Sequence, residues 1–187
     1  MNSTKIKYAL LQYFAFKRGY YCCTEFNYSG NISDVFCLDK KGKEIIDVEV
    51  KISKQDFLND FKKKEMKHKM FEKNFKEKYQ HRYYPNKFYF CVPKELTEYV
   101  KTYLTENNKT WYGIIEIDEV YINGKLDFDR LVTIIRPAKK MFDVTDTNSF
   151  TVLKDWMLNR LRNDCVGLYR EKVYGSRYDK VYEGESK

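Results

Sequence analysis

The stretch Ile45-Ile46-Asp47-Val48-Glu49-Val50-Lys51 decides how the rest of this 187-residue chain is interpreted. For most of its length apolar residues recur at alternate positions, which is typical of a β-strand. Residues two apart on a strand project to the same face, so Glu49 and Lys51 lie side by side while Val48 and Val50 face a core. A carboxylate and an ammonium group therefore share one face at the end of a buried strand, which indicates a site for chemistry.

Size and composition indicate one globular domain, because 187 residues suffice for one full core. Hydrophobic residues make up 43% and charged residues 33%, a balance that excludes a disordered chain. The formal net charge of +8 favours a polyanionic partner, although charge alone does not identify that partner. We therefore look for further signs of a nucleic-acid partner.

The cysteines and the N-terminus indicate the compartment. Five cysteines include no CxxC pair, and two histidines give no zinc-site spacing. The cysteines are interpreted as buried thiols in a reducing compartment. The segment 1–5 lacks the apolar core of a signal peptide, and no apolar run approaches transmembrane length. We expect a cytoplasmic protein without a membrane partner.

Periodicity and turn signals predict the order αβββαβαβ, an α/β fold in which helices flank a mixed sheet. The first three strands form an antiparallel meander, and Ser53 with Asp56 makes a capping box that opens the second helix. Thr4 is expected to cap the first helix. The predicted elements are a helix at 4–18, strands at 20–28, 34–38 and 44–51, a helix from 53 to about 80 with or without a break, a strand at 87–92, a helix at 95–105, a strand at 112–117, a hairpin at Asn123-Gly124 and a helix at 148–161.

No internal repeat or linker divides the chain. We expect a core over 1–120 and, packed on the same domain, a C-terminal hairpin, helix and polar tail over 121–187. The tail is expected to be loose from Tyr169 onward. The segment 134–141 gives no decisive pattern.

Asp34 opens the second strand fifteen residues before Glu49. A two-strand meander of that length brings the two carboxylates together, and a divalent cation relieves their repulsion. Asp34, Glu49 and the backbone carbonyl of Val50 are the expected ligands of Mg²⁺ or Mn²⁺. Lys51 is expected to position the attacking water or to stabilise transition-state charge.

These residues resemble a known family. An Asp, a glycine-containing turn and a strand ending in Glu-x-Lys within an αβββαβ core are similar to the PD-(D/E)xK nuclease superfamily, and more closely to the MmcB-like DNA repair proteins. The stretches that carry the resemblance lie within residues 5 to 120: Glu25, 30–35, 49–60, 88–96 and 112–115.

The resemblance implies a restriction-endonuclease-like αβββαβ core, a divalent metal and a DNA substrate. Asp34, Glu49 and Lys51 match the superfamily's catalytic positions, so it implies a Mg²⁺- or Mn²⁺-dependent deoxyribonuclease in DNA repair or processing. The chain departs from the pattern twice: Ile32-Ser33 stands where the family usually has basic residues, and the proline of the superfamily's name is absent. A homodimer through the segment from 121 onward is a further hypothesis, since enzymes that cut both strands commonly dimerise.

Two other functions stay open. The fold could serve as a non-catalytic nucleic-acid-binding module that uses the site for metal-assisted docking. The chain could instead be a basic interaction protein in which Glu49 and Lys51 form an exposed ion pair. Glu25 is either an additional metal ligand or an ordinary exposed strand residue.

Several neighbouring residues receive structural interpretations. Asp47 is expected to pair with a lysine, Asp56 to serve the capping box, Asp60 to favour the helix dipole or pair with Lys64, and His68 to pack in the core. The basic helix is a candidate phosphate track, with Tyr79, Tyr83 and Tyr84 available for stacking. The predicted nucleic-acid contacts are Lys54, Lys62, Lys63, Lys67, His81 and Arg82.

Overall fold

A six-stranded mixed sheet forms the centre of the computed structural model. The structure describes residues 2–28, 30–69, 71, 84–119, 121–122, 125–126, 130–144 and 147–174. The helices are α1 (Ser3–Leu11), a π-helical segment (Gln12–Lys17), α2 (Lys54–Lys63), α3 (Glu65–Lys69), α4 (Lys94–Glu106) and α5 (Thr147–Tyr174). The strands are β1 (Tyr21–Tyr28), β2 (Asn31–Leu38), β3 (Ile45–Val50), β4 (Lys87–Pro93), β5 (Gly113–Ile117), β6 (Tyr121–Ile122), β7 (Lys125–Leu126) and β8 (Val132–Arg136).

The sheet has the order β1-β2-β3-β4-β5-β8. The first three strands are antiparallel neighbours, as the predicted meander requires. Strands β3, β4 and β5 are parallel, so their carboxyl ends meet at one edge of the sheet. The predicted mixed sheet flanked by helices is confirmed, and β8 adds a strand from beyond residue 120 to the same sheet.

The two faces of β3 are buried against different partners. Val48 and Val50 lie in the apolar cluster that includes residues of α1, as their alternation predicts. Asp47 and Glu49 pair with Phe88 and Phe90 of β4, whose side chains belong to the cluster beneath α2 and α4. The charged face of β3 is therefore covered by helices instead of facing open solvent.

Helix boundaries differ from the prediction at two places, and the break that the prediction left open in the second helix is present. Asn2, and not Thr4, caps α1 by accepting a hydrogen bond from the Lys5 amide, because Thr4 already lies in the first helical turn. A break separates α2 from α3 at Lys64, which has φ −116° and ψ 35°. The last helix continues past residue 161 to Tyr174, so the expectation of a loose tail is wrong for 169–174.

Other predictions fall partly outside the described residues. The turn Asn123-Gly124 lies outside them, although the flanking strands β6 and β7 pair as expected. The predicted helix over 72–80 also lies outside the described residues. The undecided segment 134–141 contains the end of β8. Among the described helices, none combines the length and the apolar composition needed to cross a bilayer.

Candidate functional site

A cavity of about 350 Å³ opens where β3 ends and α2 begins. It brings together Asp34, Glu49 and Lys51, the three residues predicted to carry the chemistry. The remaining lining residues are polar or come from the ends of neighbouring elements: Ser3, Val50, Asp56, Asn59, Asp60, Lys63 and Lys64. Asp34 and Glu49 therefore line the same cavity, as their spacing in the sequence predicts.

Asp34 is fastened to the backbone of β3. Its Oδ2 accepts a hydrogen bond from the Val50 amide at 2.8 Å. Its Oδ1 lies 2.8 Å from the ammonium nitrogen of Lys7 on α1. Burial lowers the pKa of Lys7, but its contacts with Asp34 and Glu25 outweigh burial and hold the pKa above its ordinary value. In this structure Asp34 therefore pairs with the ammonium group of Lys7.

Glu25 does not line the cavity. Its carboxylate pairs with Lys7, and nearly half of its side chain is exposed. Its backbone has φ 50°, in the left-handed region that non-glycine residues seldom adopt. Glu25 therefore adjoins the site through a shared lysine.

Glu49 is fully buried and pairs with three ammonium groups. Its Oε2 lies 3.1 Å from Lys51 and 2.6 Å from Lys64, and its Oε1 pairs with Lys67. Burial raises the pKa of the Glu49 carboxyl, but the charge of Lys67, with those of Lys51 and Lys64, holds the pKa below its ordinary value. The interpretation of Glu49 and Lys51 as an exposed surface pair is wrong, because both are buried.

Lys67 fills a fully buried position between two carboxylates. Its ammonium group pairs with Glu49, lies 2.6 Å from Asp47 and approaches the Ile32 carbonyl at 3.4 Å. The prediction that Lys67 belongs to an exposed phosphate track does not hold, because α3 turns this side chain toward the sheet.

Asp47 pairs with a lysine, as predicted, and that lysine is Lys67. Its carboxylate also accepts hydrogen bonds from the hydroxyls of Ser33 and Tyr28, each at 2.5 Å. Burial raises the pKa of the Asp47 carboxyl despite the nearby Lys67. Asp47 therefore anchors Lys67 behind Glu49.

Asp60 was interpreted as a helix-dipole residue or a partner of Lys64, and it lies 3.4 Å from Lys64. It is also buried, 2.5 Å from Lys51 and 2.8 Å from Nε2 of His68. Burial raises its pKa, but the hydrogen bond from His68 and the charge of Lys51 hold it well below its ordinary value. His68 packs in the core as predicted, 4.4 Å from the ring of Phe61 between centroids.

Sequence reasoning missed the role of Asp60 in this cluster. The spacing of Asp60, Lys64, Lys67 and His68 repeats at helical intervals and would place all four on one face. That signal is hidden because lysines also occupy three of the other six positions between 60 and 69, namely Lys62, Lys63 and Lys69.

The other predicted nucleic-acid contacts divide between surface residues and residues outside the described part. Lys54, Lys62 and Lys63 are exposed, and Lys63 lines the cavity. His81 and Arg82 lie outside the described residues. The Tyr84 ring lies against Tyr28, 6.3 Å between centroids.

The donor set has the chemistry of a hard-cation site. Asp34 and Glu49 offer carboxylate oxygens, which suit Mg²⁺ and Mn²⁺. Among the described residues, no group of three or more His, Cys, Asp or Glu is arranged to hold a metal ion. Each carboxylate has ammonium partners, and of the three lysines on Glu49 only Lys64 has a substantially exposed side chain, at 35%. In this structure ammonium groups therefore contact the carboxylate oxygens of Asp34 and Glu49 that a metal ion would use.

Comparison with known proteins finds a solved structure with a similar fold and indicates no activity. A solved structure, described as the SPO1766 protein of unknown function from Silicibacter pomeroyi, aligns with a TM-score of 0.61 and 18% identity. The alignment covers 94% of this chain and 97% of that one, so the two share a fold across nearly their full lengths. No family model and no curated protein matches the chain.

Proposed function

We propose that this protein is a Mg²⁺- or Mn²⁺-dependent deoxyribonuclease of the PD-(D/E)xK kind. One observation carries the proposal: Asp34, Glu49 and Lys51 line a single cavity at the carboxyl end of a central strand. The Val50 amide, between Glu49 and Lys51 in sequence, is bonded directly to Asp34. An acid from β2 and an acid and a lysine from the end of β3 are the side chains that such a site requires.

The order of elements gives independent support. From α1 through β1, β2, β3, α2 and β4, the chain follows the αβββαβ order of a restriction-endonuclease-like core. The sheet is antiparallel at β1–β3 and parallel at β3–β4, and residues at the end of β3 line the cavity.

Each residue has a proposed role. Asp34, Glu49 and the carbonyl of Val50 would hold the divalent cation, which when bound supplies an acidified water and offsets charge on the phosphoryl group. Lys51 presents a fixed cation beside Glu49, at 3.1 Å, to orient the attacking water or stabilise charge developing on phosphate oxygens. The exposed Lys63 at the cavity rim, with Lys54 and Lys62 on α2, would contact the DNA backbone.

The decisive experiment is cleavage of labelled single-stranded, duplex and branched DNA with Mg²⁺, Mn²⁺ or EDTA. We expect cutting that depends on the metal and falls by at least about 100-fold in Glu49→Gln, since this change removes a charge without changing side-chain shape. Glu98→Gln is the matched control, because Glu98 is an exposed acid on α4 whose partner is Lys101. Wild-type protein that cuts none of the three substrates in either metal refutes the nuclease.

A second function is favoured by a specific observation. Lys7 neutralises Asp34, and Lys64 and Lys67 neutralise Glu49, as expected of a non-catalytic nucleic-acid-binding module on the same fold that needs no metal ion. This module would bind DNA with equal affinity in EDTA and in Mg²⁺, and Mn²⁺ would leave its melting temperature unchanged. A nuclease site would instead be stabilised by Mn²⁺ in wild type and not in Glu49→Gln.

We also propose a homodimer through the second half of α5. Leu153 and Met157 pack in the cluster formed with β1, and the same helical stripe continues through Leu161 and Leu168, which are exposed. A second copy is the proposed occupant, because two such stripes would bury each other.

The buried thiols of Cys22, Cys23, Cys37 and Cys91 favour a reducing compartment, and we propose the cytoplasm.

A further inference from the structure

Asp60 is a buried carboxylate to which the roles above assign nothing. It is 3% exposed and joins two elements of the site. Its Oδ1 lies 2.5 Å from the ammonium nitrogen of Lys51, and its Oδ2 lies 2.8 Å from Nε2 of His68. One carboxylate thus connects the proposed catalytic lysine to a buried histidine.

Chemistry fixes the hydrogen-bond direction between Asp60 and His68. An ionised carboxylate only accepts hydrogen bonds. Nε2 of His68 therefore carries a hydrogen, and this N–H donates the hydrogen bond to Asp60. The other ring nitrogen, Nδ1, lies 2.8 Å from the hydroxyl of Tyr112. The His68 ring packs against the rings of Phe61 and Phe90, which hold its plane.

We propose that Asp60, His68 and Tyr112 are positioning residues that hold the Lys51 ammonium group beside Glu49. This inference rests on the nuclease function proposed above. A lysine side chain is a flexible four-carbon stem with a mobile charge, so a useful orientation has to be imposed by fixed acceptors. Glu49 and Asp60 engage two of the three N–H groups of Lys51, which leaves one for water or a phosphate oxygen.

A purely structural role makes a different prediction. If Asp60 only anchors α2 to the end of β3, its loss lowers stability and leaves the turnover of folded protein unchanged. If Asp60 positions Lys51, its loss lowers kcat while KM stays the same, because the interaction matters in the transition state.

The test compares variants in steady-state cleavage of the DNA substrate that wild type cuts best. In Asp60→Asn the amide NH2 group faces a donor, either the N–H of His68 or the ammonium group of Lys51, and Lys51 keeps Glu49 as its remaining carboxylate partner. We expect kcat to fall about 10- to 100-fold, with KM within about twofold of wild type. His68→Phe should have a similar effect, and Tyr112→Phe a smaller one.

Two controls separate positioning from folding. His68→Gln keeps an N–H donor and should retain more activity than His68→Phe, although both disturb packing. Phe57→Leu lies on the same helix as Asp60, is fully buried and does not line the cavity, so it should lower the melting temperature with wild-type kcat.

A readout independent of activity follows the lysine itself. The side-chain ¹⁵N–¹H signal of Lys51, identified by its absence in Lys51→Arg, should be visible in wild type. It should shift or broaden in Asp60→Asn and His68→Phe, but not in Phe57→Leu.

The outcomes are distinct. Wild type that cuts DNA while Asp60→Asn cuts equally well overturns the positioning role alone. The positioning role is also overturned if kcat falls no further in Asp60→Asn than in Phe57→Leu. It is overturned likewise if the Lys51 signal neither shifts nor broadens in Asp60→Asn. Wild type that cuts no DNA overturns the nuclease, and the positioning role with it.

Discussion

Glu25 has a left-handed backbone conformation next to the candidate site, with φ 50° in the middle of β1. It stands between Thr24 and Phe26, which pair with Val35 and Ser33, so it lies beside Asp34. Both acids share Lys7. A conformation of this kind costs about 1–3 kcal/mol in a non-glycine residue and persists where surrounding contacts impose it.

Glycine at position 25 should relieve that cost. We expect Glu25→Gly to be more stable than Glu25→Ala by about 1 kcal/mol, because only glycine adopts φ 50° without strain. Both variants lose the same ion pair with Lys7, so the difference isolates the backbone. Chemical denaturation measures it, and an alanine variant as stable as the glycine variant would contradict the assignment of strain.

Lys64 should compete with a divalent cation for Glu49. Lys64→Gln removes a positive charge 2.6 Å from Oε2 of Glu49, so we expect Mn²⁺ to bind about tenfold more tightly, roughly 1.4 kcal/mol. Titration followed by electron paramagnetic resonance measures the affinity. Lys62→Gln is the control, because Lys62 is an exposed lysine on the same helix. An unchanged affinity in Lys64→Gln would show that Lys64 does not obstruct the metal.

The candidate site could be predicted from sequence only in part at this scale. Alternation in β3 identified Glu49 and Lys51, and the length of the meander identified Asp34. The burial of Lys67 could not be predicted, because an unpaired lysine is almost never buried and its partners Asp47 and Glu49 are eighteen or more residues away.

At the scale of elements, α5 shows where periodicity gives the type of structure but not its extent. Leu153 and Met157 identify the helix because they repeat at helical spacing, and the structure packs both in the cluster that contains residues of β1. Beyond Leu161 only Leu168 continues this stripe, and the side chains from Leu158 to Leu168 are mostly exposed, so the continuation to Tyr174 has only a weak signal. A helix without a packed face cannot be distinguished from a polar tail by pattern alone.

The exposed half of α5 gives a prediction about assembly. We expect wild type to sediment as a dimer at micromolar concentration, and Leu168→Glu to sediment as a monomer because the change buries a charge in an apolar contact. Lys101→Glu, on the exposed surface of α4, controls for the change in charge. Analytical ultracentrifugation distinguishes the two states, and a monomeric wild type would refute this interface.

At the scale of the whole molecule, the fold was predicted better than the electrostatics that accompany it. The order of strands and helices follows from local periodicity and turn signals, and it appears in the sheet order. The charge cluster instead joins β3, α2 and α3 through side chains that meet only after folding. Three carboxylates, Asp47, Glu49 and Asp60, face the ammonium groups of Lys51, Lys64 and Lys67.

Stability should fall in acid because of this cluster. The pKa values of Glu49 and Asp60 are lowered in the folded protein, so their stabilisation is complete above the unfolded value near pH 4 and is lost as pH falls further. Asp47, with a raised pKa, acts in the opposite direction. Urea unfolding between pH 7 and pH 2 should show a decline that is shallower in Asp60→Asn, by up to about 1.4 kcal/mol per pH unit.

The control for this pH dependence is Asp118→Asn, which removes an acid paired with the exposed Lys94. Its decline should match that of wild type. Equal slopes in wild type and Asp60→Asn would mean that Asp60 does not contribute to acid unfolding.

The buried pair of Lys67 and Asp47 also constrains which sequences can keep this fold. Loss of Lys67 leaves the buried Asp47 carboxylate without a cation, and loss of Asp47 leaves the buried Lys67 ammonium group with Glu49 as its remaining carboxylate partner. Joint replacement by uncharged residues of similar size removes both charges together, while Glu49 keeps Lys51 and Lys64. Each single change would therefore be purged from a randomised library selected for folded protein, while the double change survives. Among sequences that share this architecture, positions 47 and 67 should accordingly change in concert, as one inherited unit.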